Sequence, residues 1–147
     1  MAQVKAVPDG FTTVTPFLNI KNAAAAIELY KKAFGAEVRE KFENPEGKVM
    51  MCELQIGTSI VRVSDAIKDA PTQSGLSLYV DNADAWWQRA TDAGLDVVVP
   101  LQDMFWGDRF GALRDSYGNM WTIATHIEDV PHDEALRRAA AHAMKSK

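Results

Sequence analysis

The chain has 147 residues, a length that fits one compact domain. Hydrophobic residues make up 47% and charged residues 24%, and the formal net charge is -4. The acidic balance argues against a nucleic-acid surface, and no apolar run is long enough for a transmembrane helix. Because the first residues also lack the apolar core of a signal peptide, we expect a cytoplasmic protein whose partner is neither nucleic acid nor membrane.

The first part of the chain predicts a β-α-β-β-β unit. After a loose opening segment, a strand is expected at residues 14–20, and Asn22 is expected to cap a helix that Gly35 ends. Three more strands are predicted at residues 38–43, 49–56 and 59–64, and a polar linker is predicted at residues 65–74. The single cysteine, Cys52, lies in the apolar run VMMCEL, which predicts a small residue packed in a strand and excludes an intrachain disulfide.

The second part of the chain repeats this order. LNIKNAAAAIELYKKAFGAEV and LYVDNADAWWQRATDAGLDV share an apolar strand, an Asn at the turn, a helix, a glycine and another strand. The predicted helix covers residues 83–93, and the predicted strands cover residues 76–80, 95–100, 110–114 and 120–126. A last helix is predicted at about residues 131–145.

The pattern predicts an α+β fold with two βαβββ modules, at about residues 13–66 and 74–126, within one domain of residues 1–147. Repeated units of this kind bury their apolar faces together. We therefore expect an open eight-stranded mixed sheet or half-barrel, followed by the C-terminal helix. The space between two such units is a natural place for a ligand.

Three motifs carry a family resemblance: TPFLNIKNAAAAIELYKKAFGAE, GKVMMCELQIGTSIVRVSD and FWGDRFGALRDSYGNMWTIATH. Together they span roughly residues 13–128, and they resemble the vicinal oxygen chelate superfamily, in particular its PhnB-like branch. This group includes glyoxalase I, extradiol dioxygenases and fosfomycin- and bleomycin-resistance proteins. The resemblance implies paired βαβββ modules and a homodimer. In the enzymes of the family it also implies one divalent metal, which chelates two neighbouring substrate oxygens as a Lewis acid.

The metal ligands implied by the resemblance do not occur at the matching positions. The four positions fall on Thr15, Arg62, Gly75 and Thr122, and none of these is a histidine or a carboxylate. Divalent metals need several such ligands in convergent geometry. We therefore predict no metal and no other cofactor. The alternative is one divalent metal ion held by other ligands in a lyase, isomerase or dioxygenase.

Aromatic and polar side chains predict a small-molecule site instead. Aromatic rings bind flat or cationic ligands, and alternation along the strands places the matching positions on one face. The candidate ligand-binding residues are Phe17, Asn19, Glu53, Arg62, Tyr79, Trp106, Arg109 and Thr122. Two alternatives stay open: Arg62 pairs with Glu53 or with a ligand carboxylate or phosphate, and Trp106 contacts a ligand or packs in a dimer interface.

The function predicted from these residues is binding of a small molecule without chemistry, similar to the bleomycin-resistance proteins. The metal-dependent enzyme is the alternative. A third possibility is a metal-free enzyme that uses Glu53 or His126 as a base. The sequence does not name the ligand, because this fold serves many functions.

Overall fold

The computed structural model describes residues 4–66 and 71–145, so residues 67–70 of the predicted linker lie outside it. The chain divides into two compact units, Met1–Ser74 and Gly75–Lys147. The first unit holds four strands and one helix, in the order β1 (Phe17–Ile20), α1 (Ala23–Phe34), β2 (Glu37–Glu43), β3 (Val49–Ile56) and β4 (Ser59–Asp65).

The second unit repeats this order and adds one helix. Its elements are β5 (Gly75–Tyr79), α2 (Ala83–Asp92), β6 (Asp96–Asp103), β7 (Asp108–Arg114), β8 (Met120–His126) and α3 (His132–Lys145). The predicted α+β class, the repeated βαβββ order and the C-terminal helix are confirmed. No helix in the described part of the chain is long and apolar enough to cross a membrane.

The first sheet has the strand order β1-β4-β3-β2, with β1 parallel to β4 and the other pairs antiparallel. Helix α1 covers one face, where Leu18 and Ile20 are buried. The Asn22 side chain accepts from the Ala25 N–H, as a helix cap does, and the Asp65 carboxylate accepts from the Ala23 N–H at 2.9 Å. Asp65 therefore belongs to β4 and not to the predicted linker.

The second sheet has the equivalent order β5-β8-β7-β6, with β5 parallel to β8. Helix α2 lies against its face at Gly111, where an added Cβ would be 2.7 Å from Cη2 of Trp87. Only glycine allows this approach. Trp121 lies on the same side as Gly111 and is fully buried, so it faces α2, and Thr122, the next residue along the strand, lies on the other face.

Helix α3 is tied to the second unit through Arg138. Its guanidinium group donates to the carboxylates of Glu128 and Glu134 and to the carbonyl oxygen of Phe105, which lies 3.1 Å away. Phe105 precedes Trp106 in the loop between β6 and β7. The helix therefore helps to hold this loop in place.

Candidate functional site

The candidate site lies on the face of the second sheet opposite α2, where three strands end or begin. Tyr79 ends β5, His126 ends β8 and Asp108 begins β7. The parallel strands β5 and β8 have their carboxyl ends at one edge, and Asp108 is the register partner of His126 across the antiparallel pair β7–β8. The topology therefore brings these three side chains to one edge of the sheet.

Asp108 is the centre of this group and is only 3% exposed. Its Oδ2 accepts from the Tyr79 hydroxyl at 2.6 Å and from the Trp106 indole Nε1 at 2.9 Å. Its Oδ1 lies 2.8 Å from Nδ1 of His126. We call Tyr79, Trp106, Asp108 and His126 the Asp108 cluster. These three hydrogen bonds replace those that the buried carboxylate would make to water, and so offset the cost of its burial.

The contacts of Asp108 set the pKa values of the cluster. Burial acts to raise the pKa of the Asp108 carboxyl, but the hydrogen bonds from Tyr79, His126 and Trp106 outweigh it, so that this pKa lies below its ordinary value. The hydrogen bond to Asp108 also raises the pKa of the Tyr79 hydroxyl. For His126, the hydrogen bond with Asp108 and then the one with Asp129 raise the pKa of the imidazole.

Both contacts favour the charged form of the His126 imidazole. Its Nε2 lies 2.7 Å from the Asp129 carboxylate, so that each ring nitrogen faces an acidic group. A protonated imidazole between two carboxylates has no free lone pair and does not act as a general base. The geometry thus gives no support to His126 as the base of a metal-free enzyme.

The aromatic rings of the cluster keep much of their surface exposed. Tyr79 is 69% exposed and Trp106 is 38% exposed, although the polar group of each is held by Asp108. Trp106 also makes edge contacts with Phe105 and Phe110, at centroid distances of 5.1 and 5.4 Å. The site therefore presents aromatic surface whose orientation is fixed before any ligand arrives.

The loop that carries Trp106 depends on Gly107. This residue has a φ of 104°, a conformation that favours glycine, and a Cβ there would overlap the carbonyl oxygen of Glu128. The Gly107 carbonyl also accepts from the N–H groups of Ile127 and Glu128. The chain segment after β8 thus fixes the position of the indole.

Four of the eight predicted site residues share one face of the first sheet. Arg62 is the register partner of both Phe17 and Glu53, and Asn19 lies two residues beyond Phe17 on the same strand. Nη2 of Arg62 is 3.8 Å from Oε1 of Glu53, which is an ion pair without a hydrogen bond. This face lies opposite the side that α1 covers.

The other four predicted residues belong to the second unit. Tyr79 and Trp106 are in the Asp108 cluster, and Thr122 lies on the same face, beside Ser77. Arg109 lies on the opposite face, where its guanidinium group pairs with Asp84 of α2 and Asp103 of β6 at 3.0 Å each. The structure therefore does not bring Arg109 to the candidate site.

Asp108 and Phe110 were not among the predicted residues. Both share the face of Tyr79 and Thr122, because Phe110 is the register partner of Ala124, as Tyr79 is. The alternation of side chains along a strand could have identified them. Asp108 and Phe110 flank Arg109 in the sequence, so their side chains must lie on the face opposite to that of Arg109.

The positions that match the family's metal ligands do not fit a metal. Arg62 stands beside Phe17, Thr122 stands beside Ser77, and Thr15 precedes β1. Hydroxyl and guanidinium groups are not the ligands that divalent metals use in such sites. Within residues 4–66 and 71–145, no three His, Cys, Asp or Glu side chains are grouped so that they could hold a metal ion.

Comparison with known families identifies the class of protein. Residues 11–123 match the model of the Glyoxalase/Bleomycin resistance protein/Dioxygenase superfamily, so the chain belongs to this family. The resemblance seen in the sequence is confirmed.

The chain is similar to a mycobacterial protein in sequence and to two solved structures in fold. An uncharacterized protein of Mycobacterium tuberculosis strain H37Rv is 34% identical over 133 residues, which cover 82% of this chain and 78% of that protein. The PhnB protein of Bacillus cereus has a TM-score of 0.57 and 17% identity, over 78% of this chain and 99% of that one. TnmS3 of Streptomyces sp. CB03234, an antibiotic binding protein, has a TM-score of 0.61 and 17% identity, over 79% and 99%. At these identities the two solved structures show the shared fold.

Proposed function

We propose that this protein binds a flat aromatic small molecule at the Asp108 cluster and does so without a catalytic metal. One observation carries the proposal: a buried carboxylate holds the polar ends of two aromatic side chains whose rings stay exposed. Covering exposed aromatic surface with a ligand removes it from water, which favours binding. Rings that are already held in place lose little conformational entropy when the ligand binds.

The charge of the cluster favours a neutral or cationic ligand. The carboxylates of Asp108 and Asp129 flank the single imidazolium of His126, so the group carries a net negative charge when all three are ionised. Aromatic rings attract cations through their faces, and this negative charge adds to the attraction. TnmS3, which has the same fold, is an antibiotic binding protein, and this is consistent with small-molecule binding by this chain.

The binding test is isothermal titration calorimetry with two probes, bleomycin and the flat aromatic cation berberine. We expect saturable binding of at least one probe, with one molecule per chain. Trp106→Ala should weaken it by about 1–2 kcal/mol, roughly tenfold, because the largest ring is lost. Arg109→Gln is the matched control, since Arg109 lies on the other face, and it should leave the affinity unchanged.

Two results would contradict the binding proposal. One is the absence of binding of either probe at millimolar concentration. The other is binding whose affinity is the same in the wild type and in Trp106→Ala.

The absence of a functional metal is a separate part of the proposal. It rests on the side chains at the four matching positions, Thr15, Arg62, Gly75 and Thr122. Elemental analysis after incubation with Mg, Mn, Fe, Ni and Zn and desalting tests it. Less than a tenth of an equivalent of metal per chain is expected. About one equivalent would instead support the metal-dependent enzyme.

The assembly and location that the family resemblance implies are also proposals. We propose that the chain forms a homodimer, that its two modules and C-terminal helix act as one domain, and that the protein is cytoplasmic. Light scattering during gel filtration should give twice the chain mass of 16.2 kDa. A mass equal to one chain at micromolar concentration would rule out the homodimer.

A further inference from the structure

Two arginines lie around one aromatic ring on the first unit. Arg39 of β2 and Arg62 of β4 have their Cζ atoms 5.5 and 5.4 Å from the centroid of the Phe11 ring. The two Cζ atoms therefore lie within about 11 Å of each other, since both contact the same ring. Two guanidinium groups at this separation repel each other unless negative charge lies near them.

Little negative charge is supplied by the protein. Arg62 makes the 3.8 Å ion pair with Glu53, which is too long for a hydrogen bond, and Nη2 of Arg39 donates to the backbone carbonyl of Asp9 at 3.3 Å. In the described residues, no other carboxylate comes within 4.0 Å of either guanidinium group. The face of the Phe11 ring offers no lone pair. Most of the ten N–H donors of the two groups are thus available to an oxygen ligand.

A cavity of about 240 Å³ lies next to Arg39. Gly10 and Ile60 form part of its wall, and a Cβ built on Gly10 would be 3.1 Å from Nη1 of Arg39 and 3.3 Å from Cδ1 of Ile60. The guanidinium group of Arg39 therefore packs beside Gly10, a residue of the cavity wall. The other lining residues are Thr12, Val14, Thr15, Pro16, Thr58 and Ser59, four of which carry a hydroxyl group.

We propose that Arg39 and Arg62 form an anion-binding subsite that takes the carboxylate or phosphate group of a small molecule. The planar guanidinium fork matches the oxygens of both groups, and hydroxyls next to it donate further hydrogen bonds. The cavity is smaller than a drug-sized pocket, which fits a small organic anion. This subsite lies in the first unit and does not depend on ligand binding at the Asp108 cluster.

The test is calorimetric titration of the full chain with inorganic phosphate and with benzoate, at constant ionic strength in chloride. At least one anion should bind with one molecule per chain. Arg62→Gln and Arg39→Gln should each weaken it about tenfold, because each removes charged hydrogen bonds to the anion. Binding of phosphate alone assigns the site to phosphate compounds, and binding of benzoate alone assigns it to carboxylates. Either result supports the proposal.

Arg114→Gln is the matched control. Arg114 is an exposed arginine at the end of β7 in the second unit, so its replacement changes the net charge equally without touching the subsite. It should leave the anion affinity unchanged. Arg62→Lys keeps the charge but loses the planar fork, and it should give an affinity between those of the wild type and Arg62→Gln.

A second measurement keeps the test decisive if a glutamine variant fails to fold. In ¹⁵N-labelled wild-type protein, the Nε–H signals of Arg39 and Arg62 should move during the titration, while that of Arg114 should not. The proposal is overturned if neither anion binds, if both glutamine variants fold and bind as the wild type does, or if the signals of Arg39 and Arg62 stay fixed.

Discussion

Replacing Asp108 with asparagine removes the negative charge at the centre of the Asp108 cluster while keeping the shape of the side chain. Three donors converge on this carboxylate, from Tyr79, Trp106 and His126. The asparagine amide has only one oxygen, and its NH₂ group would face a donor. Disrupting a buried hydrogen-bonded group costs about 1–3 kcal/mol. Because Tyr79 and Trp106 keep access to water, we expect a loss of about 2 kcal/mol in the free energy of unfolding.

Thermal denaturation followed by circular dichroism measures this loss. For a chain of this size, about 1 kcal/mol lowers Tm by roughly 2–4 °C, so Asp108→Asn should lower Tm by about 4–8 °C. Asp103→Asn is the matched control. It makes the same chemical change to an exposed carboxylate of the same sheet, whose side chain is 66% exposed, and it should leave Tm nearly unchanged.

The same variant should change the titration of His126. The hydrogen bond with Asp108 is the largest cause of the raised imidazole pKa. In Asp108→Asn this pKa should fall towards its ordinary value of 6.5, as followed by NMR of the ring protons. The account of the cluster would be refuted if the pKa of His126 did not change, or if Asp108→Asn and Asp103→Asn had the same Tm.

Two further predictions concern pH and packing. Since the pKa of His126 is raised in the folded state, its stabilising effect is complete below the ordinary pKa of 6.5 and is lost as the pH rises through the folded pKa. Chemical denaturation should therefore show the stability of the wild type relative to His126→Gln declining as the pH rises above about 6.5, and a difference independent of pH would contradict this. Gly111→Ala should cost about 1–3 kcal/mol because its Cβ would overlap Trp87, whereas Gly75→Ala, with open space around it, should be nearly neutral in the same assay.

The fold could be predicted from the sequence because its signals are local and occur twice. Asn22 was expected to cap the first helix, and its side chain accepts from the N–H of Ala25. Asn82, at the equivalent turn of the second copy, accepts from the N–H of Ala85 in the same way. Cys52 was expected to be a packed residue and is fully buried. Capping and alternation depend on neighbours in the chain, so one sequence is enough to detect them.

The candidate site was harder to predict because it depends on where one strand begins. The strand β7 was expected to start at Phe110, but it starts at Asp108. Because side chains alternate between the two faces of a strand, a strand that starts two residues earlier places Asp108 on the face of Tyr79. The same alternation places Arg109 on the other face. Asp108 and Arg109 are adjacent in the sequence, and only Arg109 was among the predicted site residues. Strand ends depend on pairing with distant residues, here Asp108 with His126, and no local pattern encodes that.

The contact between the Arg138 side chain and the Phe105 carbonyl has a consequence for how ligand preference evolves. The position of the neighbouring indole depends in part on a helix most of whose described residues are exposed. Substitutions in that helix can shift the aromatic surface by fractions of an ångström while every residue that touches the ligand stays the same. The C-terminal helix is therefore a second place, besides the residues that touch the ligand, where a change of sequence can alter ligand preference.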